Sequence, residues 1–166
     1  MSPRPEVLTF FDEATFTATY LVWDPASRRG AVIDSVQDFD PKSGRTSFAG
    51  ADAVLAAAQG AGVSIVWVME THAHADHLSA ATYLKAKTGA PIVIGAAITR
   101  VQETFKPIFG LDDLAPDGRQ FDRLVKEGDR LALGELEIEV MATPGHTPAC
   151  VSYRIGDAAF VGDTLF

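Results

Sequence analysis

Only one of the 166 residues is a cysteine, Cys150, so no intrachain disulfide can form and nothing in the cysteine usage points to an oxidising compartment. Long apolar runs are missing as well. Residues 1–11 are interrupted by Pro3, Arg4, Pro5 and Glu6, which leaves no stretch long enough for a signal peptide or a membrane span, and a cytoplasmic protein without membrane attachment is expected. Basic residues are in the minority: 14 Lys and Arg against 22 Asp and Glu give a formal charge of -8. That balance argues against nucleic acid or anionic lipid as partners, and an anionic substrate would need a local basic patch. There is no internal repeat and no low-complexity tract. Against these absences, 47% hydrophobic and 22% charged residues suit a single soluble domain with a real core, so disorder is not expected.

Three β-rich runs, residues 7–11, 16–23 and 31–33, separated by punctuation such as Asp24-Pro25, predict an antiparallel meander. A polar, glycine-containing segment over 37–50 leads into a helix over 51–60, where Val54, Leu55 and Ala58 share a face before Gly60 and Gly62 end it. Residues 64–69 are a continuous apolar run of the kind buried on both faces of a sheet. A helix over 78–88, closed by Gly89, and a strand over 91–94 complete a strand, helix, strand unit. A further helix over 97–109 is expected to break at Pro107, and 111–129, rich in Asp, Gly and Pro, reads as a surface excursion. The chain then returns to strands at 131–133, at the alternating Leu136-Glu137-Ile138-Glu139-Val140, and at 150–155 and 158–161, which are joined by a Gly156-Asp157 turn. Phe10, Phe11, Phe16, Tyr20 and Trp23 are read as core aromatics.

Histidine is also scarce, yet all 4 histidines sit in two short polar segments at the C-terminal ends of predicted strands, where open sheets place their sites. At this composition a His-x-His-x-Asp-His pattern arises by chance in roughly two of ten thousand such chains, so coincidence does not explain His72, His74, Asp76 and His77. Two apart on a turning backbone, His72 and His74 converge on one point. Asp76 and His77, expected at the first turn of the following helix, address a neighbouring point, which permits a two-metal site. Pro144 and Gly145 force a tight loop that presents His146, and Gly162 lets the backbone come close while Asp163 leaves the last strand as a carboxylate ligand. Nitrogen and carboxylate donors together suit Zn²⁺, Fe²⁺ or Mn²⁺. Plainer readings exist beside these: Asp76 as a helix N-cap and Asp163 as a turn residue, both compatible with a metal role, and Cys150 as a buried strand thiol.

Thr71-His72-Ala73-His74-Ala75-Asp76-His77, Thr143-Pro144-Gly145-His146-Thr147 and Gly162-Asp163-Thr164-Leu165-Phe166 resemble the metallo-β-lactamase superfamily, and the resemblance spans nearly the whole chain. It implies an α/β fold, the αββα sandwich, present as its N-terminal part only in one domain over 1–166. Thr19-Tyr20-Leu21, Val32-Ile33-Asp34, Leu78 and residues 145–151 look most like the persulfide dioxygenases, including the bacterial β-lactamase-hydrolase-like branch. That resemblance implies one Fe(II) per chain held by His72, His146 and Asp163, with His74, Asp76 and His77 behind them orienting ligands and water and Asp76 as the candidate catalytic residue. The implied reaction takes glutathione persulfide and O₂ to glutathione and sulfite; the implied partner is a small-molecule thiol, and a homodimer is compatible with it.

The near relative is glyoxalase II, in which the same residues would hold two Zn(II) ions. His72, His74 and His146 would then sit on one ion, Asp76 and His77 on the other, with Asp163 bridging and a thioester as substrate. Family members continue well past the equivalent of Phe166 with a second half-sheet and a further His, so the resemblance also implies an N-terminal fragment. Such a fragment is expected to expose an apolar sheet face, and a metal-binding module without turnover is a third reading.

Overall fold

Strands that are apolar at consecutive positions must be covered on both faces, and the computed structural model, which describes residues 4–165, places these strands at the centre of a sheet. Strands β1 (Glu6–Asp12), β2 (Thr17–Trp23) and β3 (Arg29–Ile33) form the expected antiparallel meander. After them come β4 (Val36–Asp40), β5 (Arg45–Ser47), helix α1 (Ala49–Gly60), β6 (Ser64–Met69), β7 (Leu78–Ser79), α2 (Ala81–Thr88), β8 (Ile92–Gly95) and α3 (Ile98–Ile108). The chain closes with β9 (Arg123–Val125), β10 (Arg130–Leu133), β11 (Leu136–Ala142), β12 (Val151–Ile155) and β13 (Ala158–Phe160). A six-stranded sheet runs in the order β1-β2-β3-β6-β8-β9, with β3, β6, β8 and β9 parallel. A second, antiparallel sheet has the order β10-β11-β12-β13, and a small third one the order β5-β4-β7.

Alternate residues of the large sheet serve two cores. Val22, Ala31, Ile33, Met69 and Val93 face the second sheet, where Leu131, Leu133, Ile138, Val140, Tyr153 and Ile155 meet them. Leu21, Trp23, Val32, Val68 and Ile92 face the helices, packing on Val54 and Ala58 of α1 and Leu84 of α2. Helix, sheet and sheet are therefore stacked in that order, an α/β/β arrangement whose strand ends emerge together along one edge.

Several expectations need correcting. The polar segment over 37–50, for which the sequence pattern offers no element, carries strands: β4 and β5 pair as a hairpin, and β4 also pairs with Leu78 and Ser79. That pairing holds Leu78 and Ser79 extended, so α2 starts at Ala81, with Ala80 as its N-cap. Asp76 and His77 consequently lie in the bend before β7 and not in the first turn of a helix, and Asp76 caps nothing. The excursion over 111–129 contains β9, whose Val125 is fully buried. Pro107 does not break α3, because it falls in the last turn, where the helix ends at Ile108. Phe11 and Phe16 are exposed by 58% and 80% and are not core residues; β1 is an edge strand with β2 alone beside it.

The outer face of the four-stranded sheet is polar and not apolar, with Arg130 paired to Glu137 and Arg154 to Glu139. Among the described residues, no helix is long and apolar enough to cross a membrane.

The large sheet and the segment before β12 approach closely at Gly95, where an added Cβ would lie 2.5 Å from the Ala149 carbonyl oxygen. Gly95→Ala therefore forces backbone apart and is expected to cost about 1–3 kcal/mol. Urea denaturation reads this as a lowered midpoint at constant slope, and an unchanged midpoint would contradict the close approach.

Candidate metal centre

Four chain segments that leave strand ends meet at one edge of the sandwich: Asp34 after β3, residues 70–77 after β6, residues 143–147 after β11 and Gly162-Asp163 after β13. Asp34 adopts φ 53°, a left-handed turn that Asp tolerates, and the buried Thr19 hydroxyl donates to its carbonyl at 2.7 Å. Its carboxylate turns back under the histidine segment. There it accepts the Thr71 N–H at 2.7 Å and the Thr71 hydroxyl at 2.8 Å.

That hydroxyl decides the state of His72. Thr71 has a single hydroxyl proton, and with it on Asp34 the oxygen is left to accept from His72 Nδ1, 3.0 Å away. His72 is thereby held as the tautomer whose Nε2 carries a bare lone pair, and this buried Nε2 has no hydrogen-bond partner. Burial holds the His72 imidazole below its ordinary pKa, which keeps that lone pair free of a proton. Its nearest acidic atom is Asp163 Oδ2 at 3.7 Å, and His146 Nε2 is 3.6 Å from the same oxygen. These separations are too long for hydrogen bonds and close to the roughly 3.4 Å between two donors that sit about 2.1 Å from a tetrahedral cation. Asp163 can come this near because Gly162, at φ 49°, crosses directly over Thr71; a Cβ there would be 2.3 Å from the Thr71 hydroxyl oxygen.

The second group is built by the same logic. His77 Nδ1 faces the Leu78 carbonyl at 3.1 Å and donates to it, so its Nε2 is bare, buried and unpartnered. His74 is reversed: its Nε2 lies 3.2 Å from Asp34 Oδ1 and 3.1 Å from Glu70 Oε2, so Nε2 is the donor and Nδ1 is left toward the site. Although burial opposes its charge, the hydrogen bonds to Asp34 and Glu70 win and raise His74 to about 10. Burial first, and then the neighbouring Asp34, push Glu70 above the usual carboxylate range. The Ser79 hydroxyl holds its other oxygen at 2.5 Å. Donor atoms of His72, His146 and Asp163, and separately of His74, Asp76 and His77, lie within 4.8 Å of one another. Bare buried nitrogens on His72 and His77, beside carboxylates at ligand-to-ligand spacing, fit a divalent cation.

A cleft of about 380 Å³, lined by Phe16, Tyr20, His74, Asp76 and Asp163, opens on one side of the cluster. A second of about 240 Å³, lined by His72, His77, Ile94, Gln120 and Phe121, opens on the other. Cys150 is buried as expected, but it sits just before β12, where its sulfur receives the Thr147 N–H at 3.2 Å and steadies the His146 loop. All six candidate ligands are thus gathered at this edge. Asp34, Glu70, Thr71 and Ser79 were not among them. The one signal for Glu70 is a charged residue following directly on a buried apolar strand, and for Asp34 the same at the end of 31–33.

The chain belongs to the metallo-beta-lactamase superfamily, whose family model matches residues 13–166. It is 52% identical over 168 residues to a probable metallo-hydrolase of Burkholderia pseudomallei, covering 95% of this chain and 57% of that protein. It is 30% identical to the human mitochondrial persulfide dioxygenase ETHE1, covering 93% of this chain and 50% of that protein. Against the hydroxyacylglutathione hydrolase of Brucella anthropi it is 37% identical, covering 100% and 53%. Among solved structures, ETHE1 from Myxococcus xanthus superposes with a TM-score of 0.73 at 29% identity, over 97% of this chain and 58% of that one. The chain thus spans about half the length of these relatives.

Thr71→Val keeps the shape of residue 71 and removes its hydroxyl, which frees His72 to take the other tautomer. Zn²⁺ affinity, measured by chelator competition, is expected to fall about 10- to 100-fold, with Thr71→Ser close to wild type. Unchanged affinity in the valine variant would show that the hydroxyl does not set His72.

Proposed function

We propose that this chain carries the metal centre of a glutathione persulfide dioxygenase, with one Fe(II) held by His72, His146 and Asp163. The observation that carries the reading is the buried, unpartnered Nε2 of His72 beside Asp163, with its Nδ1 tied through Thr71 to Asp34. Two imidazoles and one carboxylate on one face are the donor set of non-haem iron oxygenases, which leaves positions open for reactants. When bound, Fe(II) supplies the redox chemistry that lets O₂ react with a sulfur anion. Glutathione persulfide, O₂ and water give glutathione, sulfite and two protons.

This chain's own residues do the rest. His74, locked between Asp34 and Glu70, keeps a fixed orientation behind the triad. Asp76, exposed on the wall of the larger cleft, is placed to take up a proton released there and pass it to solvent. The flanking residues 19–21, 32–34 and 145–151 support this reading, and the likeness to the persulfide dioxygenase agrees with it, while the relatives named as hydrolases are more identical to this chain. The thiol is a small molecule, and the family's broader chemistry is metal-dependent.

A second reading has its own support. The bare Nε2 of His77, grouped with His74 and Asp76, suits a second cation, and two Zn(II) ions would equip the site to hydrolyse a glutathione thioester.

Metal content and O₂ uptake on anaerobically purified protein separate the two. Asp163→Ala is expected to abolish iron retention, and unchanged iron removes Asp163 from the ligands. His77→Ala is expected to keep about one iron per chain and persulfide-dependent O₂ uptake. Loss of a metal together with thioesterase activity in that variant establishes the hydrolase instead. A metal-replete chain with neither activity is a binding module without turnover.

A further inference from the structure

The turn between β1 and β2 carries a bulky aromatic where the backbone favours glycine. Phe16 has φ 57° and is 80% exposed, so its ring sits in the left-handed region without the burial that would offset the strain. The turn does not need the ring. The Asp12 carboxylate accepts the Thr15 N–H at 2.9 Å and the Thr15 hydroxyl at 2.7 Å, and the hydroxyls of Thr15 and Thr17 are 2.9 Å apart. The β1–β2 ladder closes at Asp12 and Thr17, so glycine at 16 would build the same turn without penalty. The ring lies edge-on to Phe11, 6.4 Å between centroids, and lines the 380 Å³ cleft with Tyr20, Asp76 and Asp163. A cleft of that size is in the range of small-molecule sites, roughly 300–1,000 Å³. Among the described residues, three that are not glycine have positive φ, and two of them, Phe16 and Asp34, line this one cleft. Strain kept at a site edge points to a side chain retained for what it touches.

We propose that Phe16 is a substrate-contact residue: its ring is the apolar wall against which the aliphatic part of a thiol carrier packs while the sulfur faces His72, His146 and Asp163. The inference rests on the persulfide reading above and adds the determinant for the carrier. Among the described residues, no Lys or Arg lines the cleft, and the carboxylates of Asp34, Asp76 and Asp163 would repel an anionic tripeptide. That leaves apolar packing on Phe16, with Tyr20, Val161 and Leu165, as an attractive contact for the carrier.

The test uses the whole chain loaded with Zn²⁺ and reduced glutathione as the probe, titrated calorimetrically, with metal content and melting temperature recorded for each variant. Phe16→Gly is expected to bind glutathione about 3- to 10-fold more weakly, at unchanged metal content and with a melting temperature no lower than wild type. Phe16→Leu, which keeps an apolar wall, is expected to bind within about 3-fold of wild type. Equal binding by the glycine variant overturns the proposal. So does a melting temperature several degrees lower in that variant, which would make the ring a folding element. A wild-type chain that loads metal yet binds no glutathione overturns it while leaving the metal centre standing, whereas a chain that loads no metal overturns the centre as well.

Discussion

One hydroxyl proton organises this site. Because Thr71 gives its proton to Asp34, it must accept from His72, and His72 must then present a bare nitrogen toward Asp163. The same carboxylate accepts a hydrogen bond from His74 Nε2, so Asp34 orients two imidazoles at once, one directly and one through the threonine. These contacts fix each ring in one orientation, and for His72 also in one tautomer, so that the nitrogen facing the site is positioned before a cation arrives. The geometry tolerates little variation: the hydroxyl is buried beneath Gly162, and the Asp34 backbone is pinned by Thr19.

The layers make that arrangement available. A sheet clad on both faces cannot present polar groups from its middle, so its chemistry is pushed to the strand ends, where chain direction changes and backbone groups are free. Tyr153 shows how tightly the layers are joined there. It is a fully buried residue of the second sheet, and its hydroxyl reaches across the core to donate to the Glu70 carbonyl at 2.8 Å. The second sheet therefore braces the segment that leads into the histidines, as well as supplying His146 and Asp163 from its own connections.

What was legible in the sequence depended on whether a signal was local. The six candidate ligands stood out because spacing alone separates His72, His74, Asp76 and His77 from chance, and Gly162 beside Asp163 announced a close approach that the contact with Thr71 explains. The alternation in β11 and the unbroken apolar run in β6 were read correctly for the same reason. Asp34 and Glu70 were not read as site residues, since what makes them so is a partner brought in by tertiary structure, His74 lying 40 positions from Asp34. The two-residue strand β7 has no period to detect; it exists because β4 lies beside it. Phe11 and Phe16 were mistaken for core because hydrophobicity says that a side chain prefers burial and says nothing of whether an edge strand has anything to bury it against.

The crossing of Gly162 over Thr71 also bears on the order of events during folding. Residues from near the start, the middle and the end of the described chain must dock before His72 and Asp163 face each other, so the centre is among the most non-local features of the molecule. Contacts of that kind form late, after the loop-closure entropy of the intervening chain has been overcome. A cation arriving early would find isolated histidines of ordinary affinity, whereas one arriving late would meet a prepared cage. A cation held at this edge would therefore mark the molecules in which both sheets have already come together.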